Sequence, residues 1–331
     1  MIKIIFLLII FLILINFIKN IETFNNDSNY QTQLIEKQPI NKIKYSPSKI
    51  IDGYNKSDAS LILFEIVNNK INIKEKKNIM SYQNSRIKFL LSLFKETLKI
   101  HQIKDIIFIV NVNDNIPKLN IPFLGCVYER DNNCISIPIN WCHYFGTKDK
   151  LFEPNYFDKS INDYKKESVS LYNKNELTSK IVYRGSNNCN IRRKLESQNE
   201  KFKDIIDVKL ARNKKDKYFI DNNTLRKKYD KFFCIRGLGK WTGSLNQFSL
   251  ANGVLFIIEE ESKQPFELLL EPNIDYIPIK NDLTDFEEKI KLSTNSKLML
   301  NIRNNLKKKT DFFNSKNIME YMYLCINNLY L

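Results

Sequence analysis

The stretch "KIVYRGSNNCNIRRKL", residues 180–195, decides the fold. Its first four residues read as a strand, Arg184-Gly185-Ser186 and the polar run 187–190 interrupt it, and a helix begins near Ile191. A strand feeding a helix through a short polar turn is the repeating unit of a parallel α/β sheet. That junction is also where such folds hold anions, because the first N–H groups of a helix are unpaired and its dipole favours negative charge. Ser186 offers a hydroxyl, and Arg192 offers a fork of donors from the first helical turn. Arg184 suits the same task, or a structural pairing with a nearby acid. An ordinary strand-to-helix turn with exposed arginines accounts for the same residues.

The rhythm continues downstream. Strand "DIIDVKL" (204–210) precedes helix "NTLRKKYD" and strand "KFFCI" (231–235). A glycine-rich turn leads to a helix near "LNQFSLA", strand "GVLFII" (253–258), strand "DYIPI", helix "DLTDFEEKIKL" and two terminal helices. Upstream, "ASLILFEIV" (59–67) is an apolar run of strand length. Residues 76–103 show helical spacing, with Met80, Ile87, Leu90, Leu91, Phe94 and Leu98 on one broad face. "DIIFIVNV" (105–112) is continuous, apolar and β-branched, the pattern of a doubly buried parallel strand. "FLGCVY" and "CISIPI" read as short strands, and residues 156–174 as a helix leading into the second half. The expected fold is α/β, with two Rossmann-like domains facing across a cleft. The expected divisions are 1–20, 21–50 (a polar stem), 51–175 and 176–331.

The chain has 331 residues, 43% hydrophobic and 12% aromatic, enough for a core in each of two domains. Its formal charge is +15, from 52 Lys and Arg against 37 Asp and Glu. The basic residues are scattered rather than gathered in a stripe, so no nucleic-acid partner is expected. A nucleotide-sugar or an anionic membrane surface also suits positive charge. Residues 4–18 are apolar between Lys3 and Lys19. That is shorter than a full span of about 20 residues. Large side chains follow where a signal peptidase needs small ones, which favours an uncleaved anchor over a cleaved signal peptide. The expectation is a single-pass type II protein of the endoplasmic reticulum or Golgi lumen, secreted if the segment is cleaved.

Six cysteines stand at 126, 134, 142, 189, 234 and 325, with no C-x-x-C and only two histidines, so no zinc site is expected. In a lumen some of the cysteines would pair. Cys126 and Cys134 flank what reads as a hairpin or short loop. Sequons stand at Asn26, Asn55 and Asn222.

Absent motifs narrow the chemistry. "GLGKWTG" (237–243) has Trp241 where a P-loop needs Ser or Thr, and no G-x-G-x-x-G, D-x-D or G-x-S-x-G occurs. Two further strand ends carry candidate chemistry. Asp114 in "VNVNDNIP" (110–117) ends an apolar strand, where a carboxylate suits a general base and equally suits an Asx turn before Pro117. "CIRGLGKWTGS" (234–244) places Gly237 just past a strand, where backbone N–H groups can approach a phosphate, with Lys240, Thr242 and Ser244 as added donors.

Taken in order, these stretches resemble glycosyltransferase family 90, which includes secretory protein O-glucosyl- and O-xylosyltransferases and capsule xylosyltransferases. The resemblance runs from about residue 60 to 300. It is carried by "VNVNDNIP", "ISIPINWCHYF" (135–145), "YRGSNNCNIRRKL", "YDKFFCIRG", "NGVLFI" and "EPNIDYIPIKNDLTDFEEKI". It implies a GT-B fold and metal-independent, inverting transfer from a UDP-sugar to a protein or glycan hydroxyl, with no other cofactor. Asp114 would be the base, and Ser186 and Arg192 would hold the diphosphate. Arg184, Arg236, Gly237, Lys240, Thr242 and Ser244 would complete the nucleotide-sugar site. Two departures stand out: "TGSLNQF" lacks an arginine that many members carry, and Asp275 replaces a histidine of the tail motif.

Overall fold

The computed structural model describes residues 33, 36, 45–128, 133–172, 177–211, 216, 218, 220–237 and 242–329. The expected anchor, residues 4–18, lies outside these. Among the described residues no helix is long and apolar enough to cross a membrane.

The first half opens with α1 (Pro47–Lys56), whose first N–H groups are capped by the Ser46 hydroxyl. Then come β1 (Leu61–Val67), β2 (Lys70–Lys77), α2 (Asn84–Ile100), β3 (Ile106–Asn111), β4 (Phe123–Gly125), β5 (Cys134–Ser136) and α3 (Pro154–Tyr172). The strand order is β2-β1-β3-β4-β5. β1 is antiparallel to β2 and β3, while β3, β4 and β5 run parallel. Residues 108–112 are thus buried as expected, but β3 pairs parallel on one side only. The cause is β2, which the sequence reading passed over. Its lysines and glutamate mask the alternation, and such charges protect an edge strand from unwanted pairing. The β1–β2 turn is Asn68-Asn69, both with positive φ (50° and 57°), which matches the twist of a tight hairpin.

Cys126 and Cys134 do not close a hairpin. β4 and β5 are parallel, and five of the six cysteines are buried.

The second half contains β6 (Thr178–Ser186), α4 (Asn190–Ser197), β7 (Ile206–Ala211), α5 (Asn222–Leu225), β8 (Tyr229–Cys234), α6 (Gly243–Leu250), β9 (Val254–Ile258), β10 (Ile277–Ile279), α7 (Phe286–Lys291), α8 (Ser296–Lys309) and α9 (Ser315–Asn327). Its five strands are all parallel, in the order β10-β9-β8-β6-β7. β6 does not break at Arg184 but runs on through Ser186 in register with β7.

One apolar cluster covers a face of this sheet with Tyr183, Phe233, Phe256 and Ile279 against Phe286, Met299 and Ile302. A larger cluster joins the other face, through Phe232 and Leu255, to β1, α2 and the aromatic group Trp141, Phe266, Phe312 and Phe313. The two halves therefore share a continuous core. α9 crosses back to the first half: Tyr321 donates its hydroxyl to the Ser136 carbonyl, and Tyr323 stacks on His101 with 4.3 Å between ring centres.

Candidate functional site

Ligands of an open parallel sheet bind at its carboxyl edge, where the strand order reverses. In the second half the chain starts at β6, moves outward to β7, and returns past β6 to β8. The reversal lies between β6 and β8, and these strands end in Ser186 and in Ile235-Arg236-Gly237. The helices that follow are α4 and α6, whose N-cap residues Cys189 and Thr242 make no side-chain capping bond. By contrast, Asn295 and Asn314 cap α8 and α9 with their side chains. Among the described residues these two helix N-termini lack side-chain caps, and both follow the strands that flank the switch point, an arrangement suited to a diphosphate.

Arg192 sits beneath this point. Its Nη1 donates to the Ser186 carbonyl (3.1 Å), the Ser186 hydroxyl (3.0 Å) and the Asn188 side chain (2.9 Å). Its Nη2 donates to the Ile235 carbonyl at 3.2 Å. Arg192 is 8% exposed, and its guanidinium lies 5.5 Å from the Tyr183 ring centre. It therefore braces the ends of β6 and β8, and Nε is buried with no partner among the described residues. A side chain on Gly237 would come within 3.2 Å of Nη2, so the glycine lets the second strand end lie close over the guanidinium.

The other arginines are committed elsewhere. Arg184 pairs with Asp207 on β7 at 2.7 Å. Burial opposes the Asp207 charge, but hydrogen bonds from Arg184 and Tyr229 outweigh it and hold the carboxyl below its usual range. Arg184 thus takes the structural role that the sequence left open. Arg236 is 3% exposed and ion-paired with the equally buried Glu267. Glu267 also stays below the usual carboxylate range: burial works against its charge, and Arg236 and Lys263 more than offset that.

Thr242 and Ser244 share a hydroxyl contact of 2.6 Å at the start of α6. Lys240 lies outside the described residues. Asp275, at the position where the resemblance expects a histidine, is buried and accepts the Glu271 N–H, closing a turn. Asn222, a sequon residue, donates its amide to Gln247 from a half-buried position, which leaves little room for a glycan.

In the first half, Asp114 follows β3 at its carboxyl end. The turns of this loop are made by its neighbours: the Asn111 side chain accepts from the Asn113 N–H (3.1 Å), and the Asn113 side chain accepts from the Asp114 N–H (2.7 Å). The Asp114 carboxylate faces Arg86 of α2, whose Nη2 lies 2.7 Å from Oδ1. Arg86 is 4% exposed and also donates to the Val112 carbonyl at 2.7 Å, while Asp114 keeps 32% of its side chain open to solvent. A buried guanidinium thus fixes the direction of a carboxylate that remains accessible.

His143 and Tyr144 tie this strand end to the second half. Although His143 has a solvent-facing edge, burial of the rest of its ring, helped by Arg86 and Lys150, pushes its pKa down. Asp114 pulls the other way. The imidazole therefore lies in the field of the Arg86–Asp114 pair. The next residue, Tyr144, packs on the first residue of α6: a Cβ on Gly243 would lie 1.9 Å from its hydroxyl. Consecutive residues thus connect the Asp114 site to an uncapped helix N-terminus of the other sheet.

The sequence reading missed Arg86, His143 and Tyr144. Arg86 had a visible signal, since it shares the buried stripe of α2 with Leu90, Leu93 and Thr97. A lone arginine there needs a partner. Tyr144 had none, because contact with Gly243 depends on how the halves pack. No protein-family model and no curated protein matches the chain.

Proposed function

We propose that the protein is an inverting glycosyltransferase that moves a sugar, with glucose or xylose as first candidates, from a UDP-sugar to a hydroxyl of a protein or glycan. One observation carries this reading. An accessible carboxylate held by Arg86 ends a strand of one sheet, and Tyr144 joins that edge to the anion-suited switch point of the other.

In the reaction, the acceptor O–H gives its proton to Asp114 as its oxygen attacks the anomeric carbon. The bond from that carbon to the diphosphate oxygen breaks, and its electron pair leaves with UDP. The N–H groups opening α4 and α6, the Ser186 hydroxyl and the donor that Arg192 still has to spare meet the growing phosphate charge. Thr242, Ser244 and Gly237 border the nucleotide, and Arg184 and Arg236 support the sheet beneath it. In this reading the body works in the endoplasmic reticulum or Golgi lumen, held by residues 4–18.

Binding titrations and slow-hydrolysis assays over a panel of UDP-sugars test the proposal. One or two donors should bind and hydrolyse slowly, and folded protein that binds none of them overturns it. A second reading is a relic that binds nucleotide without transfer. The locking of Arg236 onto Glu267, which removes a cation from the phosphate edge, favours it. Binding without any hydrolysis or transfer would select that reading.

A further inference from the structure

The strand end that carries Asp114 has a second neighbour. A cavity of about 700 Å³ opens between α1 and the loop 117–121, a size within the usual range for small-molecule sites. α1 lines it with Lys49, Asp52, Gly53 and Lys56, spaced i, i+3, i+4 and i+7 along one helical face. Gly53 lies close under the loop: a Cβ there would lie 2.5 Å from the Ile121 Cδ1 and would have to push that side chain aside. Tyr45 donates its hydroxyl to the Asn120 carbonyl at 3.2 Å, fixing the far end of the loop.

The charges in this cavity do not cancel. Lys56 is paired with Asp52 at 2.7 Å. Lys49 on the helix wall and Lys118 on the loop wall have no ion-pair partner among the described residues, and with Asp58 as the one other acid in the lining the cavity keeps a net positive charge. An anion between the walls would meet a lysine from each side. The cavity is also close to Asp114. Pro117 lines it only three residues further along the chain, so their Cα atoms are at most about 11 Å apart.

We infer that this cavity is an acceptor subsite for an acidic sugar, one bearing a carboxylate, joined to the sugar whose hydroxyl reaches Asp114. The inference rests on the transferase reading and adds the acceptor's chemical class to it. A ligand anchored between Lys49 and Lys118 spans the loop edge and presents its next residue at the strand end. Arg86 fixes the direction from which Asp114 can take the proton.

The test uses the full chain and a hexuronic acid–N-acetylhexosamine disaccharide, with a neutral disaccharide for comparison. Binding of each is titrated, and UDP binding is measured on the same preparation. The variant carries Lys49→Glu and Lys118→Glu, both exposed and outside the proposed catalytic and nucleotide-binding groups. The acidic disaccharide should bind about tenfold or more tightly than the neutral one. The variant should lose that margin, since two exposed ion pairs together are worth about a tenfold change, with UDP affinity unchanged. Rising salt should erode the preference. Equal binding of the two disaccharides, or undiminished acidic binding by the variant, overturns the inference. Lysine-dependent binding of the acidic disaccharide without any UDP-sugar binding would leave the cavity site standing and remove the transferase reading. Donor binding and transfer with no acidic preference would do the reverse.

Discussion

Replacing Asp114 by asparagine separates two roles that one carboxylate can hold. The side chain is both the proposed base and the counter-ion of Arg86, which is 4% exposed and 2.7 Å away. Asparagine still offers a carbonyl oxygen to Nη2, so a charge-assisted hydrogen bond becomes an ordinary one, at a cost of about 1–2 kcal/mol in stability. If Asp114 takes the acceptor proton, the rate of transfer falls by about 10²–10⁴-fold. That equals about 3–5 kcal/mol in the barrier. The loss in rate then exceeds the loss in stability, and donor affinity barely moves. If the residue is only a counter-ion, stability falls by the same amount while transfer per folded molecule is unchanged. Single-turnover transfer at saturating donor, donor titration and urea denaturation on the same protein resolve the two. A companion variant, Arg86→Met, removes the guanidinium and leaves the Val112 carbonyl without that donor. It should cost about 1–3 kcal/mol in stability, mainly from the unsatisfied carbonyl, because Asp114 stays partly solvated. Transfer by Asp114→Asn within about threefold of wild type, against the expected 10²-fold or greater loss, would refute the base assignment.

Arg192→Lys should lower both stability and nucleotide affinity, because one ammonium cannot reach Ser186, Asn188 and the Ile235 carbonyl together. Unfolding midpoints and UDP titrations read the two effects, and an unchanged midpoint would show that the brace is dispensable. Gly243→Ala should destabilise the contact between the halves, since its Cβ would meet the Tyr144 hydroxyl at 1.9 Å. Adding Tyr144→Ala should recover much of that loss, and no recovery in melting experiments would locate the strain elsewhere. Glu267 has a lowered pKa in the fold, so its contribution is complete above about pH 5 and is lost as pH falls through the folded value. Glu267→Gln should therefore be less stable at neutral pH and show a shallower acid transition, and identical acid profiles would contradict this. In a native thiol titration the partly exposed Cys189 should react ahead of the five buried cysteines, and an equal rate for a buried cysteine would contradict this.

Part of the second sheet was legible because a strand buried on both faces reads as an unbroken apolar run. β9, "VLFII", is fully buried along its length, so nothing in it alternates. β2 was not legible, because its charged side chains face solvent and its strand character depends on pairing with β1. The tight turn beside it, Asn68-Asn69, was a usable signal that went unread.

The sequence by itself determined that Ser186, Gly237 and Asp114 stand at strand ends, because strand and turn signals are local and each of these residues follows an apolar run. Only the tertiary structure decided what the arginines do. Arg192 reaches a carbonyl 43 residues away, and Arg86 reaches a carboxylate 28 residues away. Periodicity tells which face of an element is buried, but not which donor or acceptor waits on the element packed against it. A buried guanidinium must find such partners wherever the packing supplies them. The pairing of Tyr144 with Gly243 has the same origin, since it exists only once the two sheets share a core.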